Sequence, residues 1–424
     1  MASAHASARL RISLPRTTDA VARPGASTIS AVADYRYLIV GGGMTADAAC
    51  RGIRDHDAAG TIGLFAAEAH PPYARPPLSK GLWAGKDEAS IWRGTEGLGV
   101  VVHSGRRIVS LDLGARTVMD DRGDAHRYER LLLATGGTPR RLPGDPDGVL
   151  YFRTLDDYSA LRELAGDGSR IAVIGGGFIG SEIAAALAAA GSAVTITFPE
   201  DGIGARLFPA GLASFLNDYY REHAVEVVPG ELVRTITRDG HGFLLTADTG
   251  RELAADAVVA GLGIFPATEL AEGAGLDVDD GIVVDDLGLA GGRDDVFAAG
   301  DVARFPVPAL GGTRRVEHED HANTHGRLVG ANMAGAEEPY DHLPFLYSDL
   351  FELGYEAVGD VDSRLSTVEE WAEPYRKGVV GYVDDQGRAR GFLLWDAWGK
   401  VDPARELIRS AASVDTATLR SLLD

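Results

Sequence analysis

Short apolar runs that end in glycine clusters, each followed by helical periodicity, recur along the chain, and this order predicts its elements. Tyr37-Leu38-Ile39-Val40 reads as a strand running into Gly41-Gly42-Gly43-Met44-Thr45-Ala46 and then into a helix over Asp47 to Arg54. Arg170-Ile171-Ala172-Val173-Ile174 leads in the same way into Gly175-Gly176-Gly177-Phe178-Ile179-Gly180 and an alanine-rich helix to about Ala190. Strand, glycine turn and helix make up a mononucleotide-binding unit. The segments after each unit also repeat. Val100 to His103, Arg107 to Leu113 and Thr117 to Asp120 alternate as a three-stranded meander before a return strand at Leu131 to Gly136. Val225 to Val228, Leu232 to Thr237 and Phe243 to Ala247 do the same before Ala257 to Gly263.

The pattern therefore predicts an α/β chain of two Rossmann-like dinucleotide-binding domains with three-stranded meander insertions, plus a small C-terminal α+β domain. The expected divisions are a disordered tail at 1–33, a first domain from 34–152 and 280–344, a second from 153–279, and the C-terminal domain from 345–424. In the last, Asp384-Asp385-Gln386-Gly387 predicts a hairpin turn between Val379 to Val383 and Arg390 to Trp395, and Arg405 to Ala411 a helix. Trp371, Trp395 and Trp398 there read as core or interface.

Composition narrows the chemistry. A net charge of -21 would repel a phosphate backbone, so nucleic acid is not an expected partner. A single cysteine, Cys50, excludes a disulfide framework, a Cys-x-x-Cys pair and a four-cysteine metal site, so redox chemistry must belong to bound cofactors. No run approaches the roughly 18 apolar residues of a membrane span, and a soluble, cytoplasmic protein is expected. Residues 1–33, rich in Ala, Ser, Thr and Arg with Asp19 as their only acid, read as a tail rather than a transit peptide.

Two glycine turns in matching contexts imply two dinucleotides side by side, the arrangement for passing a hydride between them. In the first, Gly41 permits the tight turn, Gly43 admits the pyrophosphate and Ala46 packs helix on strand; Gly175, Gly177 and Gly180 repeat these roles. Glu68, after strand Thr61 to Phe65, and Glu200, after Val194 to Phe198, stand where an acid accepts from ribose hydroxyls. Glu200 favours NADH over NADPH, although Arg206 lies near enough to receive a 2′-phosphate. Gly300-Asp301, ending the strand from Val296, offers a carboxylate to a hydroxyl-bearing ligand or simply a turn. His318, His321 and His325 share a helical face at spacings of three and four, but without cysteines or a zinc motif no metal is expected.

Pro72-Tyr73-Ala74-Arg75-Pro76-Pro77-Leu78-Ser79-Lys80, Ala134-Thr135-Gly136, Gly177-Phe178-Ile179-Gly180-Ser181-Glu182 and Ala299-Gly300-Asp301 together resemble the FAD-dependent pyridine nucleotide oxidoreductases. Arg315 to Ala322, Ser348-Asp349-Leu350 and Gly354 to Gly359 look most like the apoptosis-inducing-factor group, with oxygenase-type ferredoxin reductases next; the resemblance covers about 35–412. It implies FAD in the first domain, contacted by Gly41, Gly43, Glu68, Arg75, Lys80, Ala134, Thr135, Gly136, Gly300 and Asp301, with Arg153 an addition. It implies Phe178, Ile179, Glu182, Glu200, Gly263, Glu317 and His318 on the NADH side. Tyr347 stands where the family commonly has a tryptophan near flavin and nicotinamide. The long C-terminal insertion of the animal apoptosis factors is absent, as is an extended segment after Pro-Pro-Leu-Ser-Lys, so functions tied to either are not implied.

Lys80, one of four lysines in a chain with 37 arginines, is expected to pair with Glu182 across the domain interface, where its ammonium would stabilise negative charge on the flavin. Phe178 is a candidate gate over the flavin, and His318 is expected to touch the nicotinamide region. The leading expectation is an FAD-dependent NADH oxidoreductase whose acceptor is a quinone, another small oxidant or a protein. A reductase of a ferredoxin or rubredoxin is the alternative, and an NADH-responsive interaction protein with little turnover is a third. A homodimer is compatible with all three.

Overall fold

A computed structural model describes residues 33–423; the expected tail, up to residue 32, lies outside the described residues. The first sheet has parallel strands in the spatial order Val100–Ser104, Ile62–Ala66, Ala33–Val40 and Ala125–Leu133, with Val296–Ala298 pairing the last. The inner part of this sheet, Tyr37–Val40, Ile62–Ala66 and Leu131–Leu133, is buried on both faces, as a sheet covered on both sides requires. Strand Ala125–Leu133 does two jobs. One edge runs parallel to Ala33–Val40 throughout, while the other pairs antiparallel with Thr117–Asp120, itself paired with Ile108–Asp112, and then parallel with Val296–Ala298.

The second sheet repeats the plan with Val225–Pro229, Ala193–Phe198, Arg170–Ile174 and Ala257–Ala260, all parallel. Leu150–Tyr151 adds a fifth strand beside Ala257–Ala260, three residues before the expected start of this unit at 153. Its meander is Val233–Asp239, Gly242–Ala247 and Glu252–Ala255. A two-stranded ribbon, Gly137–Pro139 against Ile264–Pro266, ties the units together.

Two expectations are corrected here. Val100–Ser104 and Val225–Pro229 are the outer parallel strands of their sheets, not the first meander strands. The third meander strands are Ala125–Leu133 and Glu252–Ala255 instead. The last strand of a parallel sheet is partly solvated, as a meander strand is, so the polar pattern reports burial and not direction.

The C-terminal unit is a five-stranded antiparallel sheet ordered Phe345–Leu350, Leu353–Gly359, Ala389–Trp395, Lys377–Val383 and Ser366–Glu373. The expected hairpin is present, and the expected helix spans Val401–Arg409, followed by Thr416–Leu423. Trp395 is fully buried, Trp371 half-buried, and Trp398 is 49% exposed. Among the described residues no helix is long and apolar enough to cross a membrane.

Candidate active site

Both glycine turns are dictated by backbone proximity. At Gly41, φ is +135° and a Cβ would sit 2.1 Å from the Ala134 carbonyl oxygen; at Gly175, φ is +116° and the same test gives 2.4 Å to Gly261 O. Gly180 passes so near the turn that a Cβ would lie 1.8 Å from Gly175 O. By contrast a Cβ at Gly43 or Gly177 meets nothing within 4 Å. These two glycines precede helices Met44–His56 and Phe178–Ala189, leaving the helix N-termini open to an anionic ligand. Ala46 is fully buried, packed between helix and sheet.

A cleft of about 810 Å³ opens from the first turn. Gly41, Gly43, Glu68, Arg75, Ala134, Thr135, Gly136, Arg153 and Asp301 all line it. Arg75 is the hub: Nη2 binds Glu68 at 2.5 Å and Nη1 donates to the Arg153 carbonyl at 2.9 Å. Arg153 in turn pairs with Asp301 at 3.2 Å. Tyr73 donates to the other Glu68 oxygen at 2.6 Å and accepts from Leu155 N–H at 2.9 Å, pinning the acid from both sides. Gly300, at φ +75°, crosses Thr45 so tightly that a Cβ would fall 2.2 Å from its hydroxyl. A long cleft with a glycine turn, an open helix N-terminus and paired charges along its length fits FAD.

Where the three units meet, Lys80 and the buried Glu182 form an ion pair, as the sequence leads one to expect. Ser79 and Ser348 hydroxyls each donate to Glu182 at 2.5 Å. The carboxylate is thus held by the first unit's 3-10 turn, its own helix in the second, and a strand of the third. Nothing in the linear sequence marks Ser348 as a partner, since its role arises only when the chain brings strand Phe345–Leu350 against helix Phe178–Ala189. Tyr347, next along that strand, has its ring centroid 5.5 Å from Lys80 Nζ and donates its hydroxyl to Glu319 at 2.6 Å. Burial and Glu319 raise the phenol's pKa, so the ring stays neutral. Glu319 likewise carries no signal of this role in the linear pattern.

His318 accepts from Tyr347 N–H at 3.2 Å, and burial lowers its pKa, favouring the neutral imidazole. Arg315 bridges Glu317, at 2.6 Å, to the Asp301 carbonyl, at 3.2 Å; burial raises the Glu317 carboxyl. Phe178 and Ile179 are 36% and 37% exposed at the mouth of the second turn. Glu200 is bound by Arg206 Nε at 2.7 Å, and Gly263 takes φ +80° beside Arg140. The three clustered histidines have different surroundings. His318 sits at the junction, whereas His321 and His325 stack on each other and pack against Phe305 inside the first unit.

Residues 35–326 match the family described as pyridine nucleotide-disulphide oxidoreductase. The chain belongs to that family. As a member it is an FAD-dependent NAD(P)H oxidoreductase, and residues 329–374 match the domain described as apoptosis-inducing factor, mitochondrion-associated, C-term. It is 33% identical over 427 residues to apoptosis-inducing factor 1, mitochondrial, of Dictyostelium discoideum, across 91% of this chain and 80% of that one. It is 35% identical over 360 residues to monodehydroascorbate reductase 3 of Arabidopsis thaliana, across 77% and 81%. Among solved structures, a chain of the covalent putidaredoxin reductase-putidaredoxin complex superposes with TM-score 0.84 at 28% identity, covering 92% of this oxidoreductase and 96% of that chain.

Proposed function

We propose that this oxidoreductase takes its hydride from NADH in preference to NADPH and passes the electrons to a small oxidant or a quinone. The observation carrying hydride transfer at this junction is the buried Lys80–Glu182 pair, set between the two glycine-turn units and braced by serines from two of the three, and the preference for NADH rests on the Glu200 carboxylate after strand Ala193–Phe198. When bound, FAD supplies the redox chemistry, accepting the hydride and giving up electrons. The chain's residues bind, orient and balance charge. Gly41 and Gly43 let a pyrophosphate approach the first helix N-terminus, while Arg75, Arg153 and Asp301 hold the rest of the FAD cleft. Gly175, Gly177 and Gly180 do the same for NADH, with Glu200 accepting from its adenosine ribose; its carboxylate disfavours a 2′-phosphate, although Arg206, paired to it, offsets part of that charge.

Lys80 keeps one positive charge at the junction, oriented by Glu182 and therefore needing no reorganisation when negative charge develops beside it. Neutral His318 adds no second positive charge there. Phe178, exposed beside the second turn, is the candidate gate that covers the flavin face until nicotinamide displaces it. The similarity to a putidaredoxin reductase chain favours a ferredoxin-type protein as the second reading for the acceptor. An acidic protein partner would meet a chain of net charge -21, which favours the small acceptor.

Lys80→Met and Glu182→Gln test the role of the pair. Each is expected to retain FAD yet slow anaerobic flavin bleaching by NADH roughly 100-fold. Unchanged rates in both would remove the pair from the reaction.

A further inference from the structure

Beyond Tyr347 and Ser348 at the junction, the C-terminal unit carries two bulky aromatics in a backbone conformation that side chains with a Cβ avoid. Phe351 has φ +58° and Tyr375 φ +57°. Each sits at the tip of a hairpin, between Phe345–Leu350 and Leu353–Gly359 and between Ser366–Glu373 and Lys377–Val383 respectively. Both tips close on one element, helix Ala210–Glu222 of the second unit. Phe351 stacks on His223 at 4.1 Å and meets the Tyr220 ring at 5.1 Å, while Glu352 beside it accepts from Tyr219 at 2.7 Å. Tyr375 packs 5.6 Å from the Phe215 ring, its hydroxyl so near the helix that a Cβ on Gly211 would lie 2.3 Å from it.

The gripped helix controls the loop at 199–209 that precedes it. Asn217 accepts from Ile203 N–H at 3.1 Å and donates to the Asp201 carbonyl at 2.8 Å. The C-terminal unit also holds the loop directly. Phe208 sits edge-on to Tyr355 and Trp395, Tyr382 donates to Leu207 O at 2.7 Å, and Ser363 N–H donates to Arg206 O at 3.0 Å. The other side of the loop faces the nucleotide turn: Gly204 N–H donates to Gly176 O at 2.9 Å, and Arg206 binds Glu200.

We propose that Phe351 and Tyr375 are positioning residues through which the C-terminal unit sets the affinity for NADH without touching it, by fixing loop 199–209 beneath the second glycine turn. This rests on the proposed assignment of Glu200 and that turn to the adenosine half of NADH. Strained backbone persists only where its surroundings over-determine it, and here the surroundings are one helix gripped at both ends.

The test uses the FAD-loaded full chain, with the NADH Kd from anaerobic saturation of flavin bleaching and the ADP-ribose Kd from calorimetry. Phe351→Gly removes the ring while relaxing the backbone. Gly211→Ala pushes against the Tyr375 hydroxyl while raising intrinsic helix propensity, so a weakened helix would not explain its effect. Each is expected to raise both Kd values about fivefold with the limiting bleaching rate within about twofold, the separation that marks lost binding rather than lost active protein. Adding Tyr375→Phe to Gly211→Ala should return part of the affinity, because the nearest clashing atom is gone while the ring carbon stays 3.0 Å from the new Cβ.

Glu200→Ala distinguishes the two ways of failing. Weakened ADP-ribose binding in Glu200→Ala, with unchanged binding in Phe351→Gly and Gly211→Ala, overturns the positioning role alone. Unchanged binding in Glu200→Ala overturns the site assignment and the inference with it.

Discussion

His321 and His325 lie fully buried against Phe305, behind the turn that carries Gly300 and Asp301. Burial pushes His325 down to about 3 from an ordinary 6.5 and drives His321 well below that ordinary value, with neighbouring His325 and His342 adding to it. Folding thus denies His325 a proton that the unfolded chain binds below pH 6.5. Its contribution to stability is complete above that pH and is lost as pH falls toward 3, at about 1.4 kcal/mol per pH unit. Urea unfolding of the wild type should therefore weaken between pH 7 and 5 by about 2 kcal/mol more than that of His325→Gln. Equal losses in the two proteins would contradict the buried, neutral assignment. In the sequence these histidines show only a helical spacing that suits metal ligation and core packing alike. The ring packing that decides between them comes from Phe305 and Tyr340, which the linear pattern does not bring together.

Between elements, the tightest contact is the pair of helices Met44–His56 and Glu319–Met333, joined glycine to backbone. A Cβ would lie 1.9 Å from Arg327 O at Gly52, 2.6 Å from Thr45 O at Gly326 and 2.1 Å from Ala49 O at Gly330. The contact fixes the first glycine turn, at the start of one helix, relative to His318, just before the other. Gly330→Ala should therefore cost about 1–3 kcal/mol through overpacking, despite alanine's higher helix propensity, and should lower the thermal midpoint of FAD retention. A neutral or stabilising substitution would mean the helices separate without consequence.

In sequence, helix glycines read only as weak spots. The glycine turns were legible because their spacing is itself the phosphate-binding geometry, and Lys80 and Glu182 because they belong to contiguous motifs. Ser348 and Glu319 were not, since each acquires its partner only when another unit packs against its own. The meander assignments failed for a different reason: Val100–Ser104 and Val225–Pro229 are partly exposed sheet edges, and an edge looks the same whether its neighbour runs parallel or antiparallel.

At the scale of the whole molecule, two duplicated nucleotide-binding units enclose a junction whose single Lys–Glu pair all three units support. The C-terminal sheet contributes twice, through Ser348 on Glu182 and through the hairpin tips on helix Ala210–Glu222. This arrangement places redox work on two bound nucleotides and leaves the acceptor to approach a strongly acidic protein. The most direct test is anaerobic rapid mixing of the FAD-loaded protein with NADH or with NADPH, monitoring loss of the flavin's visible absorbance. Bleaching by NADH at least about tenfold faster than by NADPH at equal subsaturating concentration is the predicted result. A flavin that neither nucleotide bleaches, or a purified protein that binds no flavin, would contradict the account.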